Sequence, residues 1–176
     1  MDTSSRALKT EKFYDLTGSL TYLSIFIYCL IATQSIENLK FGNLIVAGAI
    51  MIWAIRLGLF LFMRIAKDGK DKRFNSIKTS FSQFFMTWTL QGMWVFICSS
   101  AALVAITSPT GVIVNNVFIL GFTLFIFGFV IEIIADNQKS AFRSIEENKG
   151  SFINEGLWTR SRHPNYFHTL YCVVCR

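Results

Sequence analysis

Charge is scarce in this sequence. Of 176 residues, 16% are charged, where a soluble domain carries about 25%, and the charges gather in three stretches. Proline occurs only at Pro109 and Pro164, and histidine only at His163 and His168. An apolar content of 52% excludes intrinsic disorder, and the shortage of charge argues against an ordinary cytosolic globule. The polar N-terminus MDTSSRALKTEKFYD has neither the apolar core nor the small-residue cleavage site of a signal peptide. Internal repeats and low-complexity segments are absent. Four cysteines compose no secreted disulfide pattern. Cys29 and Cys98 lie in apolar runs and read as packing residues. Cys172 and Cys175 have CxxC spacing without a second pair, so no metal site is expected.

What the chain has in abundance is apolar sequence, with 18 phenylalanines among it. Four runs approach the ~20 residues that cross a bilayer as helix: about 16–36, 43–65, 84–106 and 111–135. A soluble helix bundle would show a polar stripe on every helix, and NNVFILGFTLFIFGFVI shows none. The pattern predicts an all-α, polytopic transmembrane helix bundle of about four spans with the start of a fifth helix. Residues 1–15 form an N-terminal tail, and 16–176 the membrane domain. The lipid bilayer is the first partner this implies. The net charge of +6 is explained by basic cytoplasmic loops, so no nucleic-acid partner is expected. Arg6, Lys9 and Lys12 precede the first run, Lys67, Lys70, Lys72, Arg73 and Lys78 lie between the second and third, and Lys139, Arg143, Lys149, Arg160 and Arg162 follow the fourth. The two remaining links carry almost no net charge. Both termini are therefore expected on the cytoplasmic side.

Polar residues inside or beside these runs are the candidate functional groups. Arg56 lies about nine residues from the basic loop, or roughly 13 Å along a helix axis. A charge at such depth snorkels, makes a structural pair, or serves a site. Gln91 reads as a hydrogen-bonding contact between helices. The fourth run ends in FVIEIIADNQKSAFRS, where Glu132 and Asp136 are one turn apart. Asp136, Lys139 and Arg143 share a face if the helix continues. The stretch GSFINEGLWTRSRHPNYFHTL then sets Arg160, Arg162, His163 and Asn165 among Trp158, Tyr166 and Phe167. Guanidinium forks and aromatic rings suit phosphates and a planar ring; the same mixture suits a basic aromatic anchor at the lipid interface. His163-Pro164 predicts a fifth helix starting at or just after Pro164.

The strings ADNQKSAF and GSFINEGLWTRSRHPNYF resemble the signature of the steroid 5-alpha-reductase C-terminal-domain superfamily. They are most similar to its branch of uncharacterised membrane proteins related to steroid and sterol reductases. KFYDLTGSLTYL, WAIRLGLFLFMRIAKDGKDKRF and the Trp88–Gln91–Trp94 segment extend the resemblance over about 13–167. It implies NADPH-dependent reduction of a carbon–carbon double bond conjugated to a carbonyl, in a steroid- or lipid-like substrate, and, in a eukaryote, an endoplasmic reticulum membrane. Asp136 and Asn165 match the family's cofactor-binding positions. Arg143, Arg160, Arg162 and Tyr166 are the further cofactor-binding candidates. The resemblance assigns no catalytic residue: Tyr14, Tyr22 and Tyr28 are all available on the first run. Relatives continue N-Y-F-G-E into further helices, whereas here nine residues follow Phe167. The fifth helix is therefore expected to stop short of a span, and the chain to be C-terminally incomplete and inactive alone.

Two other readings stand beside this one. Membrane methyltransferases that act on isoprenylcysteine or phospholipids with S-adenosylmethionine also carry an R-H-P-x-Y segment. The ADNQK helix before GLWTRSRHPNYF favours the reductase side. The other alternative is a catalytically inactive membrane scaffold.

Overall fold

The computed structural model describes residues 14–33, 40–68, 80–148 and 150–164. Four long helices carry nearly all of this: α1 (Tyr14–Thr33), α2 (Phe41–Asp68), α3 (Phe81–Thr107) and α4 (Asn116–Ser144). Short 3-10 turns follow at Glu146–Asn148 and Gly156–Thr159. No strand occurs among the described residues. Each long helix is long and apolar enough to cross a membrane, so the chain is all-α with four spans. The predicted fifth helix, Asn165, Tyr166, the CxxC pair and most of the basic loop after α2 lie outside the described residues.

The chain divides into two compact units, Met1–Val112 and Ile113–Arg176. In the first, α1 packs against both α2 and α3, and α2 touches α3 only slightly. Side-chain contacts give the directions. Tyr22 on α1 meets Trp53 on α2 edge-on, with ring centroids 5.4 Å apart, while Ser19 faces Gly58. These pairs run in opposite senses, so α1 and α2 are antiparallel. Tyr14 meets Thr87 and Trp88, and Tyr22 meets Cys98, so α1 and α3 are parallel. Gly58 makes the α1–α2 crossing possible, because a Cβ there would run into the Ser19 hydroxyl. Small residues at crossings are how membrane helices approach closely where no water drives them together.

One end of this unit is closed by Asn43, which is 1% exposed. Its Nδ2 donates to the Ile106 carbonyl at 3.2 Å, and its Oδ1 accepts from the Val112 backbone N–H at 2.8 Å. The last carbonyls of a helix have no intrahelical donor, and α2 supplies one to α3 here. The Lys40 ammonium donates to the Pro109 carbonyl beside it. The sequence pattern extends the fourth run back to about residue 111, but residues 108–112 belong to this closure.

In the second unit, α4 starts at an Asn115 cap whose Oδ1 accepts from the Phe118 N–H at 2.9 Å. Asn is a preferred cap because its short side chain satisfies one orphan donor. Phe118, Phe122, Phe125 and Phe129 stack successively along one side. The helix then runs beyond the apolar stretch through Asp136, Lys139 and Arg143 to Ser144. Hydropathy alone ends the run near residue 135, because it registers the charges and not the backbone that continues beneath them.

Candidate functional site

The C-terminal third of α4 and the segment after it gather the charged groups. Glu132 and Asp136 are 4% and 6% exposed, one turn apart on the side of α4 that also buries Gly128 and Ala135. Lys139 and Arg143 continue this side, as the helical spacing requires. Two buried carboxylates at the end of a span are costly to place, which marks this as the place on α4 where packing alone does not explain the residues.

The segment after α4 returns to it. Gly156 has φ +57°, a left-handed conformation that side-chain-bearing residues disfavour, and a Cβ there would collide with the Gln138 amide. The next two residues bind α4 directly. The Leu157 N–H donates to Gln138 Oε1 at 3.0 Å. The Trp158 indole N–H donates to the Ala135 carbonyl, also at 3.0 Å, and this bond is buried. Above the indole lies the Lys139 ammonium, 4.6 Å from the ring centre, an arrangement stabilised by the ring quadrupole. Arg160 closes the 3-10 turn through its N–H to the Leu157 carbonyl at 3.3 Å. Beyond it, the His163 N–H donates to the Ser161 hydroxyl at 3.2 Å, and Pro164 is buried.

The predicted site residues therefore fall into three groups. Asp136 is buried on α4. Arg143, Arg160 and Arg162 are exposed in the same unit. Asn165 and Tyr166 lie outside the described residues. Gln138 was not among the sequence-based candidates. Its signal was the Gly156-Leu157-Trp158 turn, which needs an acceptor for its N–H groups.

Polar groups of the first unit serve a different end. Gln91 Nε2 donates to the Tyr14 carbonyl at 2.7 Å, and the Tyr14 hydroxyl donates to the Thr87 carbonyl at 3.0 Å. Gln91 is thus the interhelical contact its position suggested. Arg56 places its guanidinium over the Phe60 ring, 5.2 Å from the centroid. The three α1 tyrosines separate by environment: Tyr14 is committed to α3, Tyr22 is buried between Trp53 and Cys98, and Tyr28 is 73% exposed on the helix surface.

Comparison with known proteins gives one match. The family model described as "Protein of unknown function (DUF1295)" covers residues 3–174, and the chain belongs to that family. No curated protein and no solved structure matches it.

Proposed function

We propose that this chain is a membrane-embedded, NADPH-dependent reductase of a conjugated carbon–carbon double bond in a steroid- or lipid-like substrate. The observation that carries the reading is the pair of buried carboxylates on α4, on the same helix to which Trp158 pins an arginine-bearing segment. The resemblance of ADNQKSAF and GLWTRSRHPNYF to the steroid 5-alpha-reductase signature supports it, and membership in a membrane family associated with such proteins agrees.

The donor set suits a dinucleotide. Arg143, Arg160 and Arg162 present exposed guanidiniums, whose planar forks pair with phosphate oxygens. The Asp136 carboxylate accepts from hydroxyl or amide donors, and Asn165 offers both a donor and an acceptor. Tyr166 provides a ring face for a planar group. When bound, NADPH supplies the hydride. The residues of this chain bind and orient it at the membrane surface, beside a substrate drawn from the lipid phase. In this reading both termini and the 67–78 loop are cytoplasmic, where the nucleotide is found. Accessibility labelling that puts that loop on the opposite side removes this arrangement.

Equilibrium titration of the 176-residue chain in nanodiscs tests the reading directly. Saturable NADPH binding is expected, weakened roughly tenfold by Arg162→Ala or Asn165→Ala, as the loss of one charge-assisted hydrogen bond entails. Unchanged affinity in both variants overturns the site. Binding of S-adenosylmethionine in place of NADPH shifts the function to methyl transfer, and binding of neither leaves a scaffold.

A further inference from the structure

Among the described residues of 145–164, regular structure is limited to two short 3-10 turns, yet the segment carries two of the three guanidiniums assigned to phosphate. A segment with so little internal structure is held in place by what it binds. Near those arginines it is tied to α4 at Ala135, Gln138 and Lys139. These positions follow i, i+3, i+4 spacing, so they form a single patch on the helix, and Asp136 lies within the same turn. Gly156 sets the approach, because its left-handed turn delivers Leu157 onto Gln138 and Trp158 onto the Ala135 carbonyl.

The reach from this anchor is short. Arg160 and Arg162 follow Trp158 by two and four residues. At no more than ~3.6 Å per residue, their Cα atoms stay within about 7 and 14 Å of it. The anchor therefore limits how far either guanidinium can move from Asp136.

We propose that Trp158 and Gln138 are positioning residues, which strap the arginine-bearing segment to α4 so that Arg160 and Arg162 meet the phosphates of the same nucleotide that Asp136 contacts. The proposal rests on the nucleotide-binding reading above. The strap supplies none of the ligand contacts itself; it holds the guanidiniums before the ligand arrives. A preorganised site avoids the ordering cost that a loose segment would meet on binding.

Two measurements separate strap from site. Hydrogen exchange of the full chain in nanodiscs, without nucleotide, reads the strap alone. Gln138→Ala removes the acceptor of the Leu157 N–H, and Trp158→Phe removes the indole donor while keeping a ring beneath Lys139. Both should speed exchange across 156–164 by about tenfold, with exchange in α1–α3 unchanged. NADPH titration at low and high salt reads the consequence. Both variants should weaken affinity by about tenfold and flatten its salt dependence, as Arg162→Ala does, because an arginine–phosphate contact is screened by ions. Combining Trp158→Phe with Arg162→Ala should then cost less than the product of the single effects.

Faster exchange with unchanged affinity overturns the strap while Arg162→Ala can still uphold the site. Unchanged exchange in both variants also overturns it. If Arg162→Ala and Asn165→Ala leave affinity unaltered, the nucleotide reading fails and the positioning role fails with it. Should Trp158→Phe not yield folded protein, Gln138→Ala carries the test, since it alters a half-buried side chain.

Discussion

The two units use polar groups in opposite ways. In the first, Asn43, Gln91, Tyr14 and Lys40 all turn toward backbone carbonyls or N–H groups of neighbouring helices and links. Their hydrogen-bonding capacity is used in closing three helices against each other. In the second, a single span ends in buried Glu132 and Asp136 and in exposed Arg143, Arg160 and Arg162. Gln138, Trp158 and Lys139 there hold the segment after α4 to the helix. Depth in the membrane does not by itself distinguish functional from structural polarity. The kind of partner does: a backbone partner on another helix marks structure, and exposed charge on a pinned segment is where the proposed site falls.

The largest expected effects test the structural half of that contrast. Asn43→Leu leaves the Ile106 carbonyl and the Val112 N–H without their side-chain partner, at roughly 1–3 kcal/mol for each buried group. Thermal unfolding in detergent should register the loss, and nucleotide affinity should not move. Gly58→Leu should cost about 1–3 kcal/mol by overpacking the α1–α2 crossing, measurable by the same unfolding. A stable Gly58→Leu protein would mean the crossing is looser than the Ser19 contact indicates.

Arg162→Ala sharpens the other half. It should leave the unfolding temperature in place and lower NADPH affinity roughly tenfold, the equivalent of about 1.4 kcal/mol. Arg56→Met is its counterpart in the first unit: it should shift stability by about 0.5–1 kcal/mol through the lost contact with Phe60 and leave nucleotide affinity alone. An affinity change there would erase the distinction between the units. Smallest of all, Gln91→Leu should cost only about 0.6 kcal/mol, the usual size of a hydrogen bond between membrane helices.

All four spans were legible because each presents a predominantly apolar run of about 20 residues. Their ends were less so. Residues 111 and 112 are uncharged and read as the start of the fourth span, but Asn43, 69 positions earlier than Val112, claims them for the first unit. A long-range hydrogen bond leaves no local mark in sequence. The continuation of α4 to Ser144 was legible only as a spacing argument on Asp136, Lys139 and Arg143. Among the candidate residues, Asp136 was visible by motif and the arginines by charge and position. The anchor was not, because Trp158 donates to a backbone carbonyl, and any residue at position 135 supplies one.

The Asn43 contact also sets an order of events during synthesis. Its two partners are 63 and 69 residues downstream, so α2 is made, and its amide must be accommodated, before either partner has left the ribosome. Until α3 and the following link arrive, that amide lacks these two partners. The first unit therefore closes only after residue 112 has been synthesised.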